Sequence, residues 1–414
     1  MNTKSLLALS LLVTTAAAHG PAPEKVPLTR LIKNLTESIA KGAKDPDAFY
    51  RLGRVHYFAF TSPREPQRDG SSKDGDMFVY GASSATFSFN TWFGEADPGK
   101  NNAAGPNYYT RTDAKQVEHV REAVKNLSTA LTLPPTPTKD RYSYSAQPGL
   151  VELCLACALE DGAPWAKKVG LVGTLKPVAK DWTQAALTRY LNAYRAAVTR
   201  DVSGAGGRFG KFVSQEAGLS AKRLMLASGK ADPKLIAEID KNVAIMEKIP
   251  RAITPIVFSL TPGRGLGDLI ESRPVRFDLQ ATGEMNLKSW VRPDTAVLCW
   301  DPEQKGSIRS GAQLFGSSTW WMFWKDGFEA LAALDDNRDG WVRGKELRGL
   351  AIWMDANQNG VSDKGEVIPL HKTEIDALAS RWTQEVTGGY AQPHGVLLKN
   401  GQWLPSYDWI TLDR

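Results

Sequence analysis

Two stretches decide how this chain reads: DDNRDGWVRGKE, from Asp335 to Glu346, and DANQNGVSDKGE, from Asp355 to Glu366. In each, short oxygen-bearing side chains occupy the first, third and fifth places: Asp335, Asn337 and Asp339, then Asp355, Asn357 and Asn359. A glycine follows at the sixth place (Gly340, Gly360), and a glutamate closes the run at the twelfth (Glu346, Glu366). This is the pattern D-x-[DN]-x-[DN]-G-x5-E of a calcium loop. Calcium takes roughly six to eight oxygens at about 2.3 to 2.6 Å, so alternating oxygens on a tight bend suit it. The glycine permits the bend, and the last glutamate can close the shell with two oxygens. Trp341 and Val361, at the seventh place, offer their backbone carbonyls. Asn, Asp and Gly favour tight turns without any metal, but that alternative does not explain why both turns end in glutamate at the same place.

The two loops are not equivalent. Asp363 stands at the ninth place of the second, where a ligand often acts through water. Arg343 stands there in the first, removing an oxygen and adding a positive charge. The second loop is therefore expected to bind more tightly. Before the first loop, Phe328, Leu331 and Leu334 give an apolar helical face. Between the loops, residues 347–354 (LRGLAIWM) are expected to form one short helix serving both. Upstream, Asp301, Glu303, Lys305 and Gly306 in 301–312 resemble a third, decayed loop in which Lys305 replaces an oxygen and Ala312 replaces the closing glutamate.

Farther out, the chain divides near 251–270. Runs such as ITPIVFSL, VRFDL and TAVLCW are β-branched or alternating and bounded by Pro, Gly and Asp, which predicts strands in 251–414. Residues 19–250 read as helical, with an excursion rich in Gly, Pro, Asn and Asp at about 62–112. Leu28, Leu31, Ile32, Leu35 and Ile39 recur at helical spacing, as do Leu235, Ile236, Ile239, Val243 and Met246. Ala123, Leu127, Ala130 and Pro135 match the second-helix spacing of a tetratricopeptide repeat, and Ala186, Tyr190 and Ala193 repeat it. An unrelated helical bundle is the alternative. At the start, Lys4 and the apolar run Leu6–Val13 before Ala16-Ala17-Ala18 read as a signal peptide over 1–18. No later run is long enough to span a bilayer, so the expected location is secreted or periplasmic.

Composition is that of a globular protein: 414 residues, 42% hydrophobic and 23% charged, with 51 basic against 45 acidic residues. No Lys/Arg block could track a phosphate backbone, which argues against nucleic acid as a partner. Three cysteines cannot build a disulfide framework. Cys154 and Cys157 form a C-x-x-C inside an apolar helical run, where buried small residues are the expected reading.

SWVRPDTAVLCWDP (289–302), GAQLFGSSTWW (311–321), GFEALAALDDNRDGW (327–341) and LAIWMDANQNGVSDKGEV (350–367) together resemble the EF-hand-type modules of many exported bacterial proteins, and all of 275–414 fits, including a closing hairpin at Asn400-Gly401. The resemblance implies calcium binding and no reaction. The expected fold is mainly α, a tetratricopeptide-like N-terminal half, followed by an α+β C-terminal domain containing paired EF-hand-like loops. The expected metal ligands are Asp335, Asn337, Asp339, Trp341, Glu346, Asp355, Asn357, Asn359, Val361, Asp363 and Glu366, with Ca2+ the only cofactor.

No G-x-S-x-G, H-E-x-x-H or P-loop is present among the five histidines and their surroundings, so no enzyme is expected. Function is read as a calcium-ordered scaffold whose helices meet a protein or peptide. Two rivals remain. Trp320, Trp321, Phe323 and Trp324 could stack on glycan or cell-wall sugars. His19-Gly20 resembles the start of copper-dependent polysaccharide monooxygenases, although a helix follows it here.

Overall fold

A computed structural model of the chain describes residues 24–42, 45–61, 113–134, 147–169, 181–204, 212–249, 252–281 and 285–412, with three short strands at 64–66, 77–79 and 108–110. The signal-peptide segment, His19 and most of the 62–112 excursion lie outside the described residues.

Among the described residues, the longer helices of the first half are α1 (Leu28–Ala40), α2 (Pro46–Thr61), α3 (Asp113–Ala130), α4 (Pro148–Gly162), α5 (Trp182–Val202), α6 (Val213–Ala227) and α7 (Pro233–Met246). Each packs on the next in chain order. Helix starts are marked in the sequence: Asp181 accepts from the N–H groups of Thr183 and Gln184, and Asp232 from those of Lys234 and Leu235. Small residues set the helix spacing. A Cβ on Gly53 would lie 2.6 Å from Leu127 Cγ, and one on Gly162 would lie 2.7 Å from the Trp182 ring. Ala123, Ala186, Ala193, Cys154 and Cys157 are fully buried at the same contacts, and all three cysteines are free thiols.

The C-terminal half is a curled antiparallel sheet. Beside a two-residue pair, Ala252–Ile253 with Thr411–Leu412, its described strands are β1 (Ile256–Ser259), β2 (Ile270–Phe277), β3 (Asn286–Val291), β4 (Thr295–Trp300), β5 (Trp341–Arg343), β6 (Leu350–Trp353), β7 (Val367–Pro369), β8 (Ile375–Ala379), β9 (Gln384–Val386), β10 (Gly389–Leu398) and β11 (Trp403–Trp409). Nine of them form the main sheet in the order β5-β8-β10-β11-β1-β4-β6-β7, with β9 beside β10, and β2 pairs with β3 as a separate hairpin. Gly401, at φ +86°, closes the β10–β11 turn.

Both faces of the sheet centre are covered, which explains the unbroken apolar runs. Ile256, Phe258, Leu298, Trp300, Leu350 and Ile352 join the same core as the helices. Val257, Val297, Cys299, Ala351 and Trp353 face the second core, with Phe277 and Trp290 of the β2–β3 hairpin. Alternating side chains of one strand thus serve two cores.

Two expectations are corrected. The molecule is mixed α/β rather than mainly α, and its C-terminal half is mostly strand rather than paired helix–loop–helix. Residues 347–354 are not a shared helix: a short turn at Gly344–Leu347 ends at Gly349, and β6 follows between β4 and β7. Gly349 sits at φ +87°, and a Cβ there would lie 2.5 Å from the Trp300 ring. Leu350 to Trp353 are all buried, and their pairing with β4 on one side and β7 on the other makes them a central strand. The incoming helix does form, as α8 (Gly327–Ala332), with Asp326 capping it through the Glu329 N–H.

Trp320, Trp321 and Phe323 hold left-handed backbone angles near φ +52°, costly for bulky residues. Burial over-determines them. Trp320 meets Trp300 edge-on at 5.4 Å and Phe315 at 5.6 Å. From the helical half, Arg54 donates to the Trp321 carbonyl at 2.8 Å and lies 4.3 Å over the Phe323 ring. With Trp324, these four rings are at most 2% exposed and offer no face to a sugar.

Candidate metal-binding loops

The two acidic loops are copies in space as well as in sequence. Asp335 Oδ2 accepts from the Gly340 N–H at 2.9 Å, and Asp355 Oδ2 from the Gly360 N–H at 2.8 Å. Their Oδ1 atoms accept from the fifth-place N–H groups of Asp339 and Asn359, at 3.2 and 3.1 Å. Asn337 and Asn357 also accept from those same N–H groups, while Asp339 and Asn359 accept from Trp341 and Val361.

Both closing glutamates turn back into their own loops. Glu346 Oε1 takes the Asp336 N–H at 2.8 Å and Oε2 the Arg343 N–H at 3.1 Å. Glu366 repeats this with Ala356 at 2.9 Å and Asp363 at 3.0 Å. Six hydrogen bonds therefore recur place for place. The backbone repeats too: Arg338 and Gln358, at the fourth place, lie at φ +63° and +57°, ahead of Gly340 and Gly360 at +91° and +73°.

The 301–312 turn keeps the opening of this geometry and loses the end. Asp301 accepts from the N–H groups of Lys305 at 2.9 Å and Gly306 at 2.8 Å, and Gln304 and Gly306 lie at φ +53° and +66°. Its eighth residue, Ile308, donates its N–H to Ser362 Oγ, the eighth place of the second loop. Ala312, at the closing place, is buried. The turn is thus retained as a shape without a closing carboxylate.

Surroundings distinguish the loops. Arg343 pairs with Asp339 in the first. Burial acts to raise the Asp339 carboxyl, but hydrogen bonds from Arg343, the Trp341 N–H and Asn337 outweigh it and the net shift is downward. In the second loop, the amides of Asn357 and Asn359 donate to Asp363 at 2.8 and 2.9 Å and lower its carboxyl. Asp355 is 1% exposed and accepts from the Trp290 indole at 2.6 Å, within a ring trio of Phe277, Trp290 and Trp353. A Cβ on Gly360 would lie 2.4 Å from Val275, so the β2–β3 hairpin is seated on the bend. Asp355→Ala should strip acceptors from a buried indole and two loop N–H groups, costing about 1–3 kcal/mol in a denaturant melt.

The first loop instead rests on the helical half. Arg30 donates to Asp336 Oδ1 at 2.7 Å and to the Leu334 carbonyl at 2.6 Å. The Asn34 amide donates to the Ala333 carbonyl and to Asp336, while Arg338 donates to the Asn34 carbonyl. Asp335 also accepts from the Ser380 hydroxyl at 3.2 Å. Sequence reading missed Trp290, Arg30, Asn34 and Ser380. Their partners lie 65, 306, 302 and 45 residues away along the chain, beyond the reach of any local pattern.

Among the described residues, no three Asp, Glu, His or Cys side chains converge into a metal-holding group. The loop carboxylates are spent on backbone N–H groups instead. Carboxylate and amide side chains and backbone carbonyls alike offer oxygen in both loops, a hard, all-oxygen set of the kind that suits calcium rather than a soft transition metal.

Comparison with known proteins adds two findings. Residues 257–397 match the family model of the SPM domain, a span that holds all three Asp–Gly turns. A segment is similar to the iron-regulated protein FrpA of Neisseria meningitidis serogroup C, 30% identical over 148 residues, which is 32% of this chain and 13% of that protein. The chain therefore matches only a small part of the length of that relative.

Proposed function

We propose that this chain is an exported, calcium-binding scaffold whose ordered loops hold the sheet and helices in register for a protein or peptide partner. The supporting observation is the six-bond pattern repeated in both loops, with Glu346 and Glu366 each folded back into its own turn. Asp335, Asn337, Asp339, the Trp341 carbonyl and Glu346 would hold one ion. Asp355, Asn357, Asn359, the Val361 carbonyl, Asp363 and Glu366 would hold the other. A bound ion would neutralise carboxylates that otherwise repel one another, and binding only the folded state stabilises it. No reaction is part of this reading, and the consecutively packed helices of the first half supply the surface for a partner.

The second loop should dominate, because Asp363 stands where the first loop has Arg343. Titrating calcium into demetallated protein while following Trp fluorescence should show Glu366→Gln weakening the tighter event by about tenfold or more, a loss of roughly 1.4 kcal/mol. Glu346→Gln should leave that event in place. Equal curves for wild type and both variants would remove the proposal.

A second reading, glycan binding, is favoured by one surface feature. Trp341 and Trp403 lie 5.0 Å apart on the outer face of the sheet, Trp403 is 40% exposed, and His394 meets it at 5.8 Å. Exposed rings of this kind can stack on a sugar, unlike the buried cluster at 320–324.

A further inference from the structure

We propose that the cleft of about 360 Å³ between the 301–306 turn and the turns at Gly344–Leu347 and Leu370–Lys372 binds the phosphate group of a small organic monoester. Local geometry builds its basic side. Gly344–Leu347 is a 3-10 turn, on which side chains three residues apart lie one above the other. Lys345 and Arg348 are so spaced, and the Arg348 N–H donates to the Lys345 carbonyl at 3.3 Å. Pairing of Ala351 with Pro369 brings the second turn, and with it His371, alongside the first. The Asp301 N–H donates to the Gly349 carbonyl at 2.8 Å and ties the 301–306 turn to the same place. Lys345, Arg348 and His371 thus reach one space from two separate turns, and all three are exposed.

Among the described residues that line the cleft, the one carboxylate is Asp301. It is 6% exposed, and it accepts from the Lys305 and Gly306 N–H groups at 2.9 and 2.8 Å. Glu346, next to Lys345, folds both oxygens into the first loop. An ammonium, a guanidinium and an imidazole therefore gather around a space whose own carboxylate is withdrawn. Ammonium and guanidinium groups are the side chains that hold phosphate, the guanidinium with two parallel bonds, and an imidazole offers an N–H in either tautomer. The floor is apolar: Leu350 is buried, and Pro302, Leu347 and Pro369 are half-buried. A cationic rim beside an apolar floor fits an anion carried on a hydrophobic body better than a bare ion. This site is separate from the calcium reading and does not depend on it.

Calorimetry of the full chain at low ionic strength and fixed calcium, with phenyl phosphate as the probe, provides the test. Saturable heat at about millimolar concentration is expected, with inorganic phosphate about tenfold weaker because it leaves the floor uncovered. Arg348→Gln should weaken phenyl phosphate about tenfold, the loss of one charge-assisted hydrogen bond, and Lys345→Gln should do the same. Lys372→Gln, exposed beside His371 but off the lining, should bind as wild type does. All three positions are exposed, so thermal midpoints should stay at the wild-type value, which separates loss of binding from loss of fold. Absence of saturable heat would overturn the proposal, as would unchanged binding in both Arg348→Gln and Lys345→Gln. An equal loss in Lys372→Gln would reduce the effect to general surface charge and overturn it too.

Discussion

Withdrawing calcium should lower the thermal midpoint of the folded protein by several degrees. In the proposed exported location calcium is abundant, and loops tuned to it need dissociation constants of only about 10⁻⁴ to 10⁻³ M. At about 10 mM calcium, each such site stabilises the fold by roughly 1.4 to 2.7 kcal/mol. For a domain of about 150–250 residues, 1 kcal/mol moves the midpoint by about 2–4 °C. Calorimetric melts in calcium and in chelator should therefore separate by about 5 °C or more, and magnesium should restore little, since it demands near-octahedral, shorter coordination. The first loop is tied to α1 through Arg30, Asn34 and Arg338, so helix and sheet signals should shift together. Superimposable melts in calcium and chelator would count against any structural role for the ion.

Acid should destabilise the protein through His56. The ring is buried between α2 and α3, and its Nδ1 lies 3.0 Å from His119 Nδ1. Burial is the largest influence and lowers its pKa from 6.5 to about 4; Glu122 opposes that shift and Lys125 adds to it. The folded state thus binds this proton less readily than the unfolded chain. The stabilisation is complete above pH 6.5 and is lost as the pH falls towards 4, a difference of about 3 kcal/mol. Denaturant melts between pH 7 and 4 should show His56→Gln losing less stability than wild type. Equal losses would place the acid sensitivity elsewhere.

The parts legible in the sequence were those governed by local rules. The loop turns follow from Asp, Asn and Gly at fixed places, and the strands at Ile256–Ser259 and Thr295–Trp300 from β-branched apolar runs between turn residues. The Asn400-Gly401 hairpin is equally local. The helix faces containing Leu28, Leu31 and Ile239 were visible in their spacing, and those residues are buried. What stayed hidden was decided across the fold. LAIW at 350–353 carries no period that separates strand from buried helix, and its neighbours Cys299 and Ile368 settle the matter. Arg30 beneath the first loop and Trp290 on Asp355 are ordinary residues in their own surroundings. Only closure of the chain makes them parts of the site.

The account rests on two bends whose oxygens can gather around one hard cation each. Isothermal titration calorimetry of the demetallated full chain with millimolar Ca2+ tests this most directly. Heat that fits two sites, the tighter weakened about tenfold or more in Glu366→Gln, is the predicted result. A folded protein that gives no heat of binding would contradict it.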